Sequence, residues 1–173
     1  YKGIKIVSVG RLNVQKGFDL AIDAAACLKK KGLDFKWLII GNGELEDILN
    51  EQIGRNKLER EICLIGPREN PYVYMKSADI VAQTSRWEGK SVVLDEAKII
   101  GTPIVTTNYP TAKDQIIDGK EGLIVDMTAD AIADGIERLI SKEGLITYIH
   151  EYLMNNEYGN SNEINQYYKL FGN

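Results

Sequence analysis

Short apolar runs alternate with amphipathic segments over most of the 173 residues, and this alternation constrains the fold more than any other feature. Residues 37–40 are apolar without interruption, which is typical of a strand buried on both faces of a sheet. Residues 17–31 instead show the helical period. Strands joined by helices form parallel sheets with right-handed crossovers. The pattern therefore predicts an α/β fold, a doubly wound, Rossmann-like parallel sheet of about six strands with helices on both faces.

The same periodicities place the individual elements. The predicted strands cover residues 4–10, 35–41, 62–66, 80–85, 103–107 and 123–125. The predicted helices cover residues 17–31, 44–55 and 71–76, the stretch that ends at Gly101, and the region from residue 129 onward. We expect the following apolar side chains of the last two to pack inward: Val92, Val93, Ala97 and Ile100, then Ile132, Ile136, Leu139 and Ile140.

The length and a hydrophobic content of 44% suit one domain with a good core and are short for two. We therefore expect residues 1–173 to form a single domain, with a terminal helix within 155–173, near residues 162–170. The chain opens at Tyr1 rather than at a methionine, so we expect it to be part of a longer protein.

Composition argues against several classes of function. The net charge is −4 and no Lys/Arg run alternates with aromatic residues, so nucleic-acid binding is not expected. No apolar stretch approaches the ~20 residues that span a bilayer, and no secretory signal is visible, which favours a cytoplasmic location. Cys27 and Cys63 are expected to be buried free thiols. With these two cysteines and one histidine, His150, no metal site of the zinc type is expected.

Residues 85–97 are the most informative stretch for function. Glu88 lies where a strand ends, and Glu96 lies in an early turn of the following helix. Between them, Gly89 and Ser91 flank a helix start, where free N–H groups and the helix dipole favour an anion. The two carboxylates on either side of that anion could hold hydroxyls of a sugar and a ribose. The arrangement indicates a sugar nucleotide.

The loops after the other strands fit the same ligand, because ligands bind beyond the carboxyl ends of the strands in an open parallel sheet. Each loop alone also fits an ordinary βα turn, and Lys90 could either neutralise phosphate or point to water. Their candidate residues are Gly10, Arg11, Lys16 and Gly17 for a diphosphate, Gly41 and Gly43 for close backbone approach, and Gly66, Pro67 and Arg68 for a base edge.

In this order and spacing, the motifs resemble those of family 4 glycosyltransferases. The resemblance runs from about residue 4 to 139 and is carried by Val9-Gly10-Arg11, Lys16-Gly17, Gly41-Asn42-Gly43, Glu88-Gly89, Glu96-Ala97 and Gly101-Thr102-Pro103. It implies the C-terminal, donor-binding half of the two-domain GT-B fold. The Gly-Lys-Ser version at residues 89–91 resembles a bacterial subset associated with capsule and surface polysaccharide synthesis. Many members have an aromatic residue at the position of Lys90.

The resemblance also implies roles for the residues. Arg11 and Lys16 would bind the donor diphosphate and Glu88 the transferred sugar. The N–H groups from Gly89 through Lys90 and Ser91 to Val92 would face sugar and phosphate. Glu96 would hold the ribose, and backbone near residues 65–68 the base. The implied donor is a nucleotide diphosphate sugar, UDP- or GDP-linked, used with retention of configuration and without metal or other cofactor.

The resemblance further implies partners that lie outside the chain. An N-terminal domain of the same protein would bind a glycan or lipid-linked acceptor, and could place the enzyme at the inner face of the cell membrane. The isolated chain would then bind donor and transfer nothing. Two alternatives stay open at this point. One is a sugar-nucleotide epimerase or another GT-B-like enzyme such as a phosphorylase, and the other is a non-catalytic nucleotide-sugar-binding module.

Overall fold

A computed structural model describes residues 1–158 and places all six strands in one parallel sheet. The strands are β1 (Ile4–Val9), β2 (Phe35–Ile40), β3 (Ile62–Leu64), β4 (Ile80–Gln83), β5 (Ile104–Thr107) and β6 (Gly122–Val125). Their spatial order is β3-β2-β1-β4-β5-β6, and every neighbouring pair is parallel. The predicted fold class is confirmed, with six strands as expected.

Helices cover both faces of the sheet. They are α1 (Phe18–Lys30), α2 (Glu46–Arg55), α3 (Tyr72–Ser77), α4 (Val92–Ile100), α5 (Ala112–Gln115), α6 (Ala129–Ser141) and α7 (Leu145–Met154). One face carries α1, α2 and α6 and the other carries α3 and α4, while α7 contacts both α4 and α6. Each face thereby gains its own buried apolar layer.

The strand order reverses direction between β1 and β4. From β1 the chain winds outward through β2 to β3, and from β4 it winds the other way through β5 to β6. The loops that leave β1 and β4 therefore diverge to opposite faces and open a crevice between them, which is where ligands bind in sheets of this type. The fold places the 10–17 loop and the 84–91 loop on either side of this switch point.

One packing prediction for α4 is wrong. Val92 is 65% exposed, whereas Leu94 and Ala97 are fully buried. Residues two positions apart on a helix point in directions about 200° apart, so a helix that buries Leu94 must turn Val92 away from the core. Val92 instead lies at the open carboxyl edge of the sheet, beside the N-cap residue Ser91.

The C-terminal region forms two helices rather than one continuous helical stretch. Gly144, with φ of 74°, separates α6 from α7. Ile132, Ile136 and Leu139 of α6 are buried as predicted, and Ile140 is partly buried. The terminal helix predicted near residues 162–170 lies outside the described residues. The short helix α5 was not predicted.

Within residues 1–158, neither cysteine nor His150 belongs to a group of side chains that could hold a metal ion. Cys63 is exposed on the edge strand β3, so its predicted burial is wrong, and Cys27 is partly exposed. His150 Nδ1 lies 2.7 Å from the carbonyl oxygen of Gly101, at the end of α4 that is remote from the switch point. Among residues 1–158, none of the helices has the length and apolar character that a membrane crossing needs.

Candidate functional site

An ion pair joins the two loops at the switch point. Lys16 Nζ lies 2.6 Å from Glu88 Oε1, and the two side chains are only 17% and 7% exposed. Ser85 Oγ donates to the same carboxylate oxygen at 2.7 Å, and Gln15 Nε2 donates to the other at 3.2 Å. With three donors around it, Glu88 is a well-compensated carboxylate, and its remaining lone pairs are suited to accepting further hydrogen bonds.

Local sequence explains how Lys16 reaches this position. Asn13 Oδ1 caps a 3₁₀ turn over Val14–Lys16 by accepting the Lys16 N–H at 3.1 Å. Gly17 ends the turn at φ of 62°, and a side chain here would overlap the Thr84 carbonyl oxygen. Only glycine combines this backbone conformation with such close contact. The Lys16 side chain then runs along Gly10, which has no side chain to obstruct it.

A second ion pair, which sequence analysis missed, joins the 84–91 loop to the start of α1. Arg86 donates to both carboxylate oxygens of Asp19, at 2.8 and 2.6 Å, and to the Val14 carbonyl oxygen at 3.0 Å. Hydrogen bonding from Arg86 holds the pKa of Asp19 below its usual range, and Asp19 in turn raises the pKa of Arg86. Two hydrogen bonds between one arginine and one carboxylate hold both groups in a single orientation, so this pair fixes the 84–91 loop relative to the start of α1.

Predicted residues from the loops after β1, β2 and β3 line one cleft next to the Lys16–Glu88 pair. It has a volume of about 220 Å³, and its lining includes Gly10, Arg11, Gly41, Pro67 and Arg68. Both arginine side chains are exposed. Nothing in the described part of the chain forms an ion pair with either guanidinium, so both remain available to an anionic ligand.

Close backbone packing shapes the cleft floor. Gly41 has φ of 147°, and a Cβ there would overlap the Gly10 carbonyl oxygen. The Gly41 N–H donates to the Gly66 carbonyl oxygen at 3.1 Å, and the Gly10 N–H donates to Ile40 at 2.9 Å. Gly43 lies against the backbone of Leu12. These contacts stack the loops after β1, β2 and β3 as one layer at the sheet edge.

The N-terminus of α4 opens beside Glu88. Ser91 caps the helix by accepting the Leu94 N–H at 3.4 Å and donates its hydroxyl to Gln83 at 2.5 Å. Within the described chain, no hydrogen bond occupies the N–H groups of Val92 and Val93. The Ser91 N–H, by contrast, donates to Gln115 Oε1 at 2.8 Å. An anion at this helix start would therefore meet the first N–H groups of α4 rather than that of Ser91.

Glu96 lies one turn further along α4 and faces α3. Tyr72 donates its hydroxyl to Glu96 Oε1 at 2.9 Å, and this hydrogen bond raises the pKa of the exposed Tyr72 hydroxyl. Pro71, the residue before Tyr72, lines the cleft. Tyr72 thus orients one oxygen of the Glu96 carboxylate and links it to the residue that follows cleft-lining Pro71.

Lys90 extends into solvent. Its side chain is 74% exposed, and its Nζ lies 3.4 Å from Asp95 Oδ2. Asp95 also pairs with Lys98 at 3.4 Å. Gly89 is exposed next to Lys90. Gly89 and Lys90 are thus exposed residues at the border of the site, and their contact with donor stays a prediction.

The structure thus gathers the predicted residues at one edge of the sheet, around the switch point and its neighbouring cleft. Sequence analysis missed the polar side chains that hold the loops, namely Gln15, Ser85, Arg86, Thr111, Gln115 and Tyr72. Such residues are common in βα loops, and no spacing rule marks them. Over residues 1–158, no three His, Cys, Asp or Glu side chains cluster as metal ligands would.

Comparison with known proteins identifies the family. The model of the family described as "Glycosyl transferases group 1" matches residues 2–156. The amylovoran biosynthesis glycosyltransferase AmsD of Erwinia amylovora is 32% identical over 142 residues, which are 82% of this chain and 40% of that protein. The N-acetylgalactosamine-N,N'-diacetylbacillosaminyl-diphospho-undecaprenol 4-alpha-N-acetylgalactosaminyltransferase of Campylobacter jejuni is 34% identical over 142 residues, which are 81% of this chain and 38% of that protein.

Solved structures agree with the sequence relatives. S. aureus TarM, crystallised as a mutant in complex with Fondaparinux, alpha-GlcNAc-glycerol and UDP, superposes with a TM-score of 0.87 at 26% identity, over 99% of this chain and 36% of that one. The C-terminal domain of a group 1 glycosyl transferase (LpcC) from Francisella tularensis gives 0.76 at 25% identity, over 87% of this chain and 82% of that domain. The chain spans about two fifths of the length of the curated relatives named above. The chain belongs to the group 1 glycosyl transferase family.

Proposed function

We propose that the chain is the donor-binding half of a glycosyltransferase that moves a sugar from a nucleotide diphosphate sugar to a glycan or lipid-linked acceptor. The observation that carries the proposal is the Lys16–Glu88 pair, which stands at the topological switch point beside the start of α4. It combines a cation for phosphate, a carboxylate for sugar hydroxyls and free backbone N–H groups within one crevice.

In this proposal the cations carry most of the rate enhancement. When the glycosidic bond breaks, the leaving nucleoside diphosphate gains negative charge. Lys16 Nζ has donors left beyond its contact with Glu88, and the Arg11 guanidinium lines the adjacent cleft. Fixed positive charge aimed at that developing charge stabilises the transition state more than the bound donor, and so it lowers the barrier.

The carboxylates position the donor. Glu88 accepts from Lys16, Ser85 and Gln15, and its remaining lone pairs are suited to sugar hydroxyls. Glu96, oriented by Tyr72, is suited to the ribose hydroxyls, since a carboxylate can accept from two neighbouring hydroxyl groups at once. Pro67 and Arg68 line the cleft, and backbone of Gly66, Pro67 and Arg68 would meet the base. The donor would then lie across the carboxyl ends of β1, β2 and β4.

The remainder of the enzyme completes the reaction in this proposal. An N-terminal domain of the full-length protein would supply the acceptor site, transfer would proceed with retention, and no metal would be required. The names of relatives support a role in polysaccharide assembly, since AmsD is an amylovoran biosynthesis enzyme. The Campylobacter relative acts on an undecaprenol-linked sugar, which supports a lipid-linked acceptor and a location at the inner face of the membrane.

Calorimetric titration of the 173-residue chain with UDP-, GDP- and ADP-sugars, each with and without EDTA, tests the donor role. We expect the chain to bind either the UDP- or the GDP-linked donors, with an affinity that EDTA does not change, and to transfer no sugar by itself. A folded chain that binds none of them would refute donor binding. Product analysis of the full-length protein with lipid-linked acceptors then separates a transferase from a module that only binds, and the anomeric configuration of the product tests retention.

A further inference from the structure

The short helix α5 holds the loop that leads into α4 from both ends. At one end, Thr111 Oγ1 donates to the Glu88 carbonyl oxygen at 2.8 Å. At the other end, the Gln115 amide accepts the Ser91 N–H at 2.8 Å and donates to the Ser91 carbonyl oxygen at 3.0 Å. Lys98 of α4 in turn donates to the Gln115 carbonyl oxygen at 2.8 Å. The N-cap residue and the last residue of α5 thus bind the two ends of residues 88–91.

Ser91 is fixed from the opposite side as well. It is only 2% exposed, and its hydroxyl donates to Gln83 Oε1 at 2.5 Å. The Gln83 amide donates to the hydroxyl of the buried Tyr109 at 3.0 Å. Burial raises the pKa of Tyr109 to about 12, so this hydroxyl stays neutral near pH 7. The Ser91 hydroxyl is therefore held without Gln115, whereas the Ser91 backbone N–H depends on Gln115.

We infer that Gln115 and Thr111 are positioning residues, which hold residues 88–91 so that the first N–H groups of α4 and the Glu88 carboxylate face the donor together. The inference rests on the proposed donor-binding function. Without Gln115, the buried Ser91 N–H would lose its partner, and the Ser91 carbonyl oxygen would keep only the 3.4 Å hydrogen bond from the Asp95 N–H. The loop would then rearrange to reach water, and the Val92 and Val93 N–H groups would lose their alignment.

A misaligned 88–91 loop should affect binding of the diphosphate and of the nucleoside differently. The start of α4 is suited to the diphosphate, whereas the cleft formed by Gly41, Pro67 and Arg68 is suited to the nucleoside. Loss of loop alignment should therefore weaken binding of a nucleoside diphosphate more than binding of the corresponding monophosphate. General damage to the domain would weaken both alike.

The test compares UDP with UMP, or GDP with GMP, on the 173-residue chain, using whichever pair the unmodified chain binds. Gln115→Met keeps the length of the side chain and removes both hydrogen bonds. Thr111→Val keeps its shape and removes the donor, and Thr111→Ser restores that donor. We expect Gln115→Met to raise the Kd of the diphosphate about tenfold, equivalent to ~1.4 kcal/mol, and to leave that of the monophosphate nearly unchanged. Thr111→Val should act in the same direction, and Thr111→Ser should match the unmodified chain.

Asp114→Asn on the exposed surface of α5 is the matched control and should leave both affinities unchanged. Equal weakening of diphosphate and monophosphate, or an unchanged Kd for the diphosphate in a folded Gln115→Met variant, would overturn the inference while leaving donor binding intact. If the unmodified chain binds no nucleotide, the proposed function fails and the inference falls with it. Should Gln115→Met not fold, the Thr111→Val and Thr111→Ser pair decides by the same diphosphate-to-monophosphate ratio.

Discussion

Lys16→Met removes the cation at the switch point while keeping most of the side-chain volume. The Glu88 carboxylate keeps its hydrogen bonds from Ser85 and Gln15, and Arg86 still joins the 84–91 loop to Asp19 of α1 and to the Val14 carbonyl oxygen. The substitution should therefore leave the fold intact, which a thermal melt will check. Its effect on activity then reports on the missing charge.

The expected loss follows from the charge that moves during transfer. Two unit charges about 4 Å apart attract by ~4 kcal/mol at an effective dielectric constant of about 20. If about half a unit of charge develops on the leaving diphosphate beside Lys16, the transition state loses ~2 kcal/mol relative to the bound donor, or about 30-fold in kcat. Donor binding loses less, because Arg11, the α4 N–H groups and the base cleft share that task.

Steady-state kinetics of the full-length protein, with donor varied at saturating acceptor, measures the two effects separately. Lys113→Met is the matched control, since it removes one exposed lysine from α5 without touching the site. The expected result is a kcat that falls about 30-fold with a much smaller change in donor KM. A raised donor KM with unchanged kcat would refute the reasoning, since Lys16 would then bind donor and transition state equally.

Three further predictions concern donor recognition and stability. Glu96→Gln should raise the Kd of a nucleoside diphosphate roughly 10- to 100-fold, and calorimetry with the 2′,3′-dideoxynucleotide, which lacks the hydroxyls, should show no such difference. Gly41→Ala should destabilise the fold by about 3 kcal/mol, because the φ of 147° disfavours alanine and the added Cβ would overlap the Gly10 carbonyl oxygen. A thermal melt should show Tm lowered by roughly 6–12 °C. The control Gly54→Ala, inside α2, should not lower Tm. Because Arg86 lowers the pKa of Asp19, the pair stabilises the fold above the ordinary carboxyl pKa of about 4 and loses this effect as pH falls through the lowered value. Urea unfolding should therefore show that Asp19→Asn is less stable than the unmodified chain at pH 7, by at most about 1 kcal/mol because Asp19 is 40% exposed. This difference in unfolding free energy should shrink in acid, and a difference that grows in acid would contradict the role given to the pair.

The periodicity of apolar residues was sufficient to predict all six strands and the fold class. Strand boundaries shifted by one or two residues, and in β1 to β4 the cause is that the polar or glycine residues at the carboxyl ends of the predicted runs belong to the loops. The helix α5 escaped prediction because four residues carry too little periodicity to recognise. The predicted burial of Val92 was wrong because an apolar residue at the first position of a helix is not required to face the core.

The candidate site was predictable where chemistry requires a particular residue type at a loop. Gly10, Gly41 and Gly66 allow the loops to stack, and Arg11 and Lys16 supply charge beside them. The roles of these residues in donor binding stay predictions until the affinity for nucleotide sugars is measured. The supporting residues could not be found in the same way, because glutamine, serine and threonine satisfy backbone groups in many loops without a characteristic spacing.

By itself, the sequence determined that this chain forms a parallel α/β sheet and that its candidate binding residues follow the carboxyl ends of the strands. Only the tertiary structure decided that Lys16 and Glu88, 72 residues apart, share an ion pair, and that Gln115 occupies the Ser91 N–H. The physical reason is that period and composition report which side chains are buried along each segment. The crossovers determine which strands become neighbours, and therefore which loops meet at the switch point.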